Sequence, residues 1–138
     1  MKWKEPFDIL DLEPHVDPRG LLFEILRFKD NDIPGEGQLY TFSIQPGARR
    51  GDHYHLKKKE WFACVHGKVK VLLSSMEGVD KVIEISTEHP KVVYVGMGTT
   101  HALINETNTI AVIVSYGSKQ HDPVDVDTYR KVAFEKYK

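Results

Sequence analysis

Four residues in this chain have types and spacings that can do chemistry together: His53, His55, Glu60 and His101. Three imidazoles and one carboxylate form a donor set for a divalent metal. His53 and His55 are two residues apart, so in a strand both point to one face. Glu60 follows a polar break, Lys57 to Lys59, and is placed to open the next strand. His101 is far off in sequence and has to be brought in by folding. Zinc is the first expectation, but nickel, iron and manganese accept the same donors, so the set does not name the ion. The same histidines also suit a different use, as free acids and bases. The two uses exclude each other at any one nitrogen, because a nitrogen bound to a metal cannot also take a proton. A single histidine is more often a surface or satisfied core residue, and His15, His66, His89 and His121 are read that way. Glu60 has its own ordinary alternative, a buried partner for an arginine or lysine.

Around these residues lies positive charge: Arg49, Arg50, Lys57, Lys58 and Lys59. Charge runs are commonly solvated loops, so Lys58 is divided between that reading and a contact to an anionic substrate. Aromatic side chains near the histidines, Tyr40, Tyr54, Trp61 and Tyr94, are of the type that stacks on a sugar or a base, although most aromatics in short strands are core. Tyr116 falls late in a candidate strand, and its hydroxyl is a candidate proton donor.

The elements that must position these groups read as β. Strands are expected over 21–28, 38–45, 52–56, 61–65, 68–74, 81–86, 91–95, 101–105 and 110–116. Residues 38–45 alternate Tyr40, Phe42 and Ile44 against Leu39, Thr41 and Ser43, and Pro46-Gly47 ends the run. Residues 61–65 and 68–74 flank His66-Gly67 as a hairpin. Short strands at this spacing indicate an all-β sandwich or closed barrel. Only Val126 to Tyr137 has a helical look.

With 138 residues, 41% hydrophobic and 28% charged, the chain is expected to be one domain over 1–138 with its own core. A net charge of −1 gives no pull toward nucleic acid or an anionic membrane. No apolar run approaches a membrane span and the start is too polar for a signal peptide. One cysteine, Cys64, excludes an internal disulfide and suits a reducing cytoplasm. In an apolar strand it reads as a small buried hydrophobe.

The motifs then resemble a family. Gly47-x5-His53-x-His55-x4-Glu60-x6-Gly67 matches the first cupin motif. Gly96-x-Gly98-x2-His101-x3-Asn105 matches the core of the second, with Gly96 where proline is usual. Asp17-x-Arg19-Gly20 followed by LLFEI resembles the opening of the sugar-nucleotide 3,4-ketoisomerases. Arg50-Gly51-x-His53 is shared with the dTDP-4-dehydrorhamnose 3,5-epimerases. LYTFSIQPGARRGDHYH, THALIN and DPVDVDTY resemble the cupin domain of bifunctional capsular-polysaccharide enzymes. The resemblance spans roughly residues 17 to 134.

That resemblance implies a jelly-roll β-barrel and an isomerase acting on a 4-keto-deoxyhexose nucleotide, by C3 epimerisation or 3,4-keto isomerisation, in surface-polysaccharide synthesis. It implies a homodimer, Arg50 holding the diphosphate or sugar, and His53 as base in metal-free relatives. Glu60 favours the metal, because the ketoisomerases usually carry glutamine near that place. The chain has no GxGxxG opening to a dinucleotide fold, so no nicotinamide is expected and any reduction falls to a separate protein. A non-catalytic sugar-binding cupin and a metal-dependent cupin oxygenase are the alternatives.

Overall fold

A computed structural model describes residues 3–134. Among them are twelve strands and no helix. One five-stranded antiparallel sheet runs in the order β1 (Phe7–Asp11), β9 (Lys91–Val95), β6 (Glu60–His66), β11 (Ala111–Gly117), β4 (Gln38–Ile44). The second runs β12 (Tyr129–Arg130), β5 (Arg49–Tyr54), β10 (Thr100–Ile104), β7 (Lys68–Ser74), β8 (Asp80–Ser86). A separate hairpin joins β2 (His15–Asp17) to β3 (Gly20–Leu22).

Strand periodicity explains how the two sheets close on one another. Successive side chains leave a strand on opposite faces, so Phe62 and Cys64 of β6, Val93 and Val95 of β9, and Ile113 of β11 point inward. They meet Val71 and Leu73 of β7 and Leu103 of β10 in one buried cluster between the sheets. The alternate residues point outward. Trp61, Tyr94 and Tyr116 form a second cluster on the outer face of the first sheet, covered by Trp3, Ile25, Leu26 and Ile33. Leu72, Ala102 and Ile104 form a third on the outer face of the second sheet, under Ala133 and Phe134. Cys64 is buried as expected, with its thiol toward the carbonyl of His66.

Most expected strands are present within a residue or two at each end, and two expectations are corrected. The run 21–28 is a strand only over Gly20–Leu22. Ile25 and Leu26 bury themselves by lying across the outer cluster, which satisfies their apolar surface without a sheet partner. The helical tail does not form in its described part. Tyr129 and Arg130 instead add β12 to the free edge of β5, opposite Tyr54 and His53. Pairing with an open edge supplies backbone partners that outweigh local helix preference. Residues 135–137 of that expectation lie outside the described part.

Candidate active site and metal centre

The site lies between the sheets at one end. β5 and β10 bring two histidines side by side, with His101 opposite His53. Arg50 and His53 are three apart, a spacing that would put them on opposite faces of a regular strand. A bulge resolves this. The register passes from His101↔His53 to Ala102↔Gly51, so Asp52 is one extra residue on β5. Gly51 and Asp52 both take positive φ, 98° and 59°, and together occupy one outward position. Arg50, His53 and His55 then share the inner face. A side chain at position 51 would collide with β10, since its Cβ would lie 2.6 Å from the His101 carbonyl oxygen. Asp52, turned outward, is gripped by Arg49 at 2.6 Å.

Five strands contribute. Tyr40, Phe42, Arg50, Gly51, His53, Glu60, Phe62, His101, Leu103 and Ser115 line a cavity of about 220 Å³. The nitrogens of His53, His55 and His101 lie within 4.8 Å of one another. Glu60 Oε1 is 2.9 Å from His55 Nε2 and 3.4 Å from His101 Nε2. Glu60 Oε2 accepts a 2.6 Å hydrogen bond from the Tyr40 hydroxyl.

The histidine tautomers follow from their outer partners. His55 Nδ1 is 2.5 Å from the Asp127 carbonyl and His101 Nδ1 is 3.1 Å from the Thr99 carbonyl. A carbonyl only accepts, so each Nδ1 carries a hydrogen and each Nε2 is the ring atom left facing Glu60. Glu60 Oε1 is itself buried with no hydrogen-bond partner. Burial would raise its pKa, but hydrogen bonding and positive charge from the His101 and His55 rings, which a proton on Nε2 provides when no metal is bound, outweigh this and hold the carboxyl well below its usual value. Two imidazole Nε2 atoms and a carboxylate oxygen therefore face one point, where a metal ion can take the place of the ring protons. Two donors each about 2.1 Å from a single ion stand about 3.0 Å apart at a right angle and about 3.4 Å at a tetrahedral angle. The observed 2.9 and 3.4 Å fit that geometry, so the residues fit a divalent metal.

His53 is set apart from the other two. It is half-buried and faces the cavity, whereas His55 is buried and does not line it. Burial, then the His101 and His55 rings, lowers the His53 pKa from 6.5 to about 4. It is a neutral acceptor at neutral pH. Arg50 is exposed at the mouth of the cavity. Its Nε is engaged by the Ser43 carbonyl at 2.8 Å and its guanidinium carbon sits 5.8 Å from the Phe42 ring centre. The bond through Nε fixes the plane of the guanidinium while leaving its terminal amino groups for a ligand.

Three expected roles are corrected by this geometry. Tyr116 is not placed to donate a proton to the cavity. It follows the inward Ser115, so it faces outward, and its hydroxyl donates to the carbonyls of Pro34 and Glu36. His55 cannot act as a base on a ligand in the cavity, because it lies behind Glu60 with both nitrogens engaged. Lys58 lines a separate cleft with Lys119 and Asp125, and reaches the site only as a positive charge felt at His53. Of the aromatic candidates Tyr40 alone lines the cavity. Trp61 and Tyr94 are in the outer cluster, and Tyr54 stacks on Tyr129 at 5.3 Å. His15, His66, His89 and His121 are exposed and away from the site.

Asp127 had no assigned role in the sequence. It lies within DPVDVDTY, a stretch that resembles a family motif, but no spacing rule connects it to a histidine 72 positions away.

The family model of the polysaccharide biosynthesis C-terminal domain matches residues 15–129. The chain belongs to this family. A curated relative of this C-terminal domain is the UDP-2-acetamido-2,6-beta-L-arabino-hexul-4-ose reductase of Pseudomonas aeruginosa, 30% identical over 120 residues, which cover 86% of this chain and 31% of that protein. The capsular polysaccharide assembling protein CapF of Staphylococcus aureus is 28% identical, with a TM-score of 0.68 over 88% of this chain and 34% of that one. The chain thus spans about a third of the length of both relatives. ChmJ, a 3'-monoepimerase from Streptomyces bikiniensis solved with dTDP-quinovose, gives a TM-score of 0.78 at 18% identity over 94% of this chain and 72% of that one. Together these likenesses show a cupin barrel of the kind found among nucleotide-sugar enzymes. No helix among the described residues is long and apolar enough to cross a membrane.

Proposed function

We propose that this polysaccharide-biosynthesis domain is a nucleotide-sugar isomerase, acting on a 4-keto-deoxyhexose nucleotide by proton transfer next to the ketone. The observation that carries the reading is the division within the cavity. A neutral imidazole, His53, faces the space beside a cation-binding set, of which Glu60 and His101 line the wall and His55 is buried next to them. The names of the relatives support a sugar-nucleotide substrate.

The ketone at C4 acidifies the C3–H bond. His53 accepts that proton, and the electron pair moves to the C4 oxygen as an enolate. His55, Glu60 and His101 would hold a divalent ion, zinc first with nickel, iron or manganese as substitutes, which when bound would supply positive charge near that oxygen. Return of the proton to the opposite face of C3 gives the epimer. Its delivery to C4, with the C3 hydroxyl proton passing to the C4 oxygen, gives the 3-ketone and a C4 hydroxyl. General acid–base help of this kind is worth about 10²–10⁴-fold. Tyr40 donates to Glu60 and keeps its second oxygen oriented. Burial and the Glu60 charge raise the Tyr40 pKa, so it stays protonated.

A cavity of about 220 Å³ falls below the roughly 300–1,000 Å³ of sites for drug-sized ligands. It takes one sugar ring, with Phe42, Phe62 and Leu103 against the ring's apolar parts. The nucleoside diphosphate, dTDP or UDP, then lies across the mouth, where Arg50 grips phosphate oxygens.

A second reading makes His53 the fourth metal donor, favoured by its nitrogen lying within 4.8 Å of the other two. His53→Ala separates the two. Metal content is retained if His53 is the base and falls if it is a donor.

The test of the function is exchange in D2O. Incubation with dTDP- or UDP-4-keto sugars should remove the C3 proton signal from the NMR spectrum, even where no product accumulates. Binding of several such sugars with no exchange at any carbon would reject the isomerase in favour of a sugar-binding cupin. Oxygen consumption with iron loaded would point to an oxygenase.

The expected homodimer and cytoplasmic setting belong to the same proposal. Val16, Leu21 and Leu22 of the β2–β3 hairpin are 75%, 44% and 60% exposed, and Leu39 on edge strand β4 is 72% exposed. Such surface invites pairing. Light scattering at micromolar concentration should give about twice the 15.8 kDa chain mass.

A further inference from the structure

The segment after the last long strand, residues 125–133, runs along the free edge of β5 and is tied down at points spread along it. Asp125 pairs with Lys57 at 2.6 Å. The Asp127 carboxylate accepts the backbone N–H of Leu56 at 2.8 Å and that of Lys57 at 2.9 Å, one on each oxygen. Tyr129 stacks on Tyr54 at 5.3 Å, and β12 pairs with β5. At the far end Lys131 N–H donates to the Asp52 carbonyl at 2.9 Å and Ala133 N–H to the Asp52 carboxylate at 3.0 Å.

One of these ties reaches the site. The backbone carbonyl of Asp127 accepts from His55 Nδ1. The same residue therefore holds the turn after His55 through its side chain and the His55 ring through its main chain. His55 directly follows β5, where Leu56 and Lys57 leave the sheet and have no strand partner for their N–H groups. At His55 Nδ1 the Asp127 carbonyl is the close acceptor at 2.5 Å, with the Thr128 hydroxyl next at 3.5 Å, so the placement of the main chain at 127 orients the ring.

We infer that Asp127 is a positioning residue for the metal centre and that the strap 125–133 is its closing element, so that strap docking and ion binding stabilise one another. The inference rests on the metal reading of His55, Glu60 and His101. Coupling follows from linkage: whatever the docked strap adds to ion affinity, the bound ion returns as strap stability by the same factor. It also gives a function to the DPVDVDTY stretch, whose acidic residues otherwise look like a solvated loop.

The test measures zinc affinity by competition with a chromophoric chelator, and amide hydrogen exchange over 125–133, on the whole chain with and without zinc. Asp127→Ala should weaken zinc binding about 10-fold, within the roughly 10–100-fold range for partners of metal-bound histidines. Asp127→Asn, which keeps one acceptor oxygen, should recover most of it. Tyr129→Ala loosens the strap without touching His55 or its partner and should weaken zinc binding by a smaller factor. In the wild type, zinc should slow exchange across the strap, and Asp127→Ala should reduce that slowing. A purely structural strap would lower the unfolding temperature of the variants yet leave zinc affinity unchanged, and that result overturns the inference. Equal strap exchange with and without zinc overturns it too. If the wild type binds no zinc, nickel, iron or manganese, the metal reading itself fails and this inference with it.

Discussion

The two ends of the barrel interior are built from the same strands and the same faces, yet only one of them is a site. Along β6 the inward residues run Glu60, Phe62, Cys64. Along β4 they run Tyr40, Phe42, Ile44, along β10 His101 then Leu103, and along β11 Ser115, Ile113, Ala111. Each strand starts polar at one end and turns apolar two residues later. At the closed end the inward groups satisfy each other by contact. At the open end they leave a carboxylate oxygen buried against two imidazole nitrogens. A buried polar group without a partner costs about 1–3 kcal/mol. The closed end supplies the packing that keeps this arrangement from collapsing. Rigidity at one end is what makes an unsatisfied, reactive arrangement tolerable at the other.

The comparison can be broken most severely at the open end. Glu60→Gln and His101→Ala should each lower metal affinity by more than about 100-fold, beyond the roughly 10–100-fold range of outer-shell changes. Metal analysis after gel filtration reads this, and exchange at C3 should be lost with the metal. The fold should survive, since neither side chain belongs to the apolar cluster.

At the closed end the effect should be on stability alone. Ile113 is fully buried between the sheets. Ile113→Ala should cost about 2–5 kcal/mol of unfolding free energy, read by urea denaturation, while metal stoichiometry in the folded protein stays unchanged. A loss of metal at equal folded fraction would show that the two ends are not separable.

Tyr40→Phe probes the boundary between them. It keeps the ring and removes the hydroxyl that donates to Glu60 Oε2. Metal affinity should fall about 10-fold, and the variant should fold normally.

Acid should separate the ends by charge. Burial, His101 and His55 lower the His53 pKa from 6.5 to about 4. The unfolded chain takes up a proton that the folded one refuses. The stability tied to this group is thus fully present above the unfolded value and lost as pH falls toward the folded one. Metal-free protein should lose stability between about pH 7 and pH 4, and His53→Ala should flatten that slope. An unchanged slope would remove His53 as its source.

The smallest effect is expected from Tyr116→Phe. Its hydroxyl is spent on the carbonyls of Pro34 and Glu36, so exchange should stay within about 2-fold of wild type and stability should drop by about 1 kcal/mol. A large loss of exchange with normal stability would restore it as a proton donor.

The sequence by itself determined the strands, the histidine pair, Glu60 and the distant His101. Period-two alternation and glycine-bounded motifs are local signals, and local signals can be read along the chain. β7 and β9 fall on their expected residues for that reason. It also carried the family, because spacing within a motif survives where overall identity falls to about a third. What it could not give was the facing of side chains where the period breaks. A bulge at Asp52 reverses the parity of β5 and so decides that Arg50 shares a face with His53. Parity likewise turns Tyr116 away from a cavity that its neighbour Ser115 lines. The described part of the tail has helical preference, but an open sheet edge and an Arg49–Asp52 clamp are long-range partners that a local window does not contain. The tautomer of His55 depends on a carbonyl 72 residues away. Only the folded chain sets such a contact, because a backbone oxygen has the same chemistry at every position and becomes specific through where the fold places it.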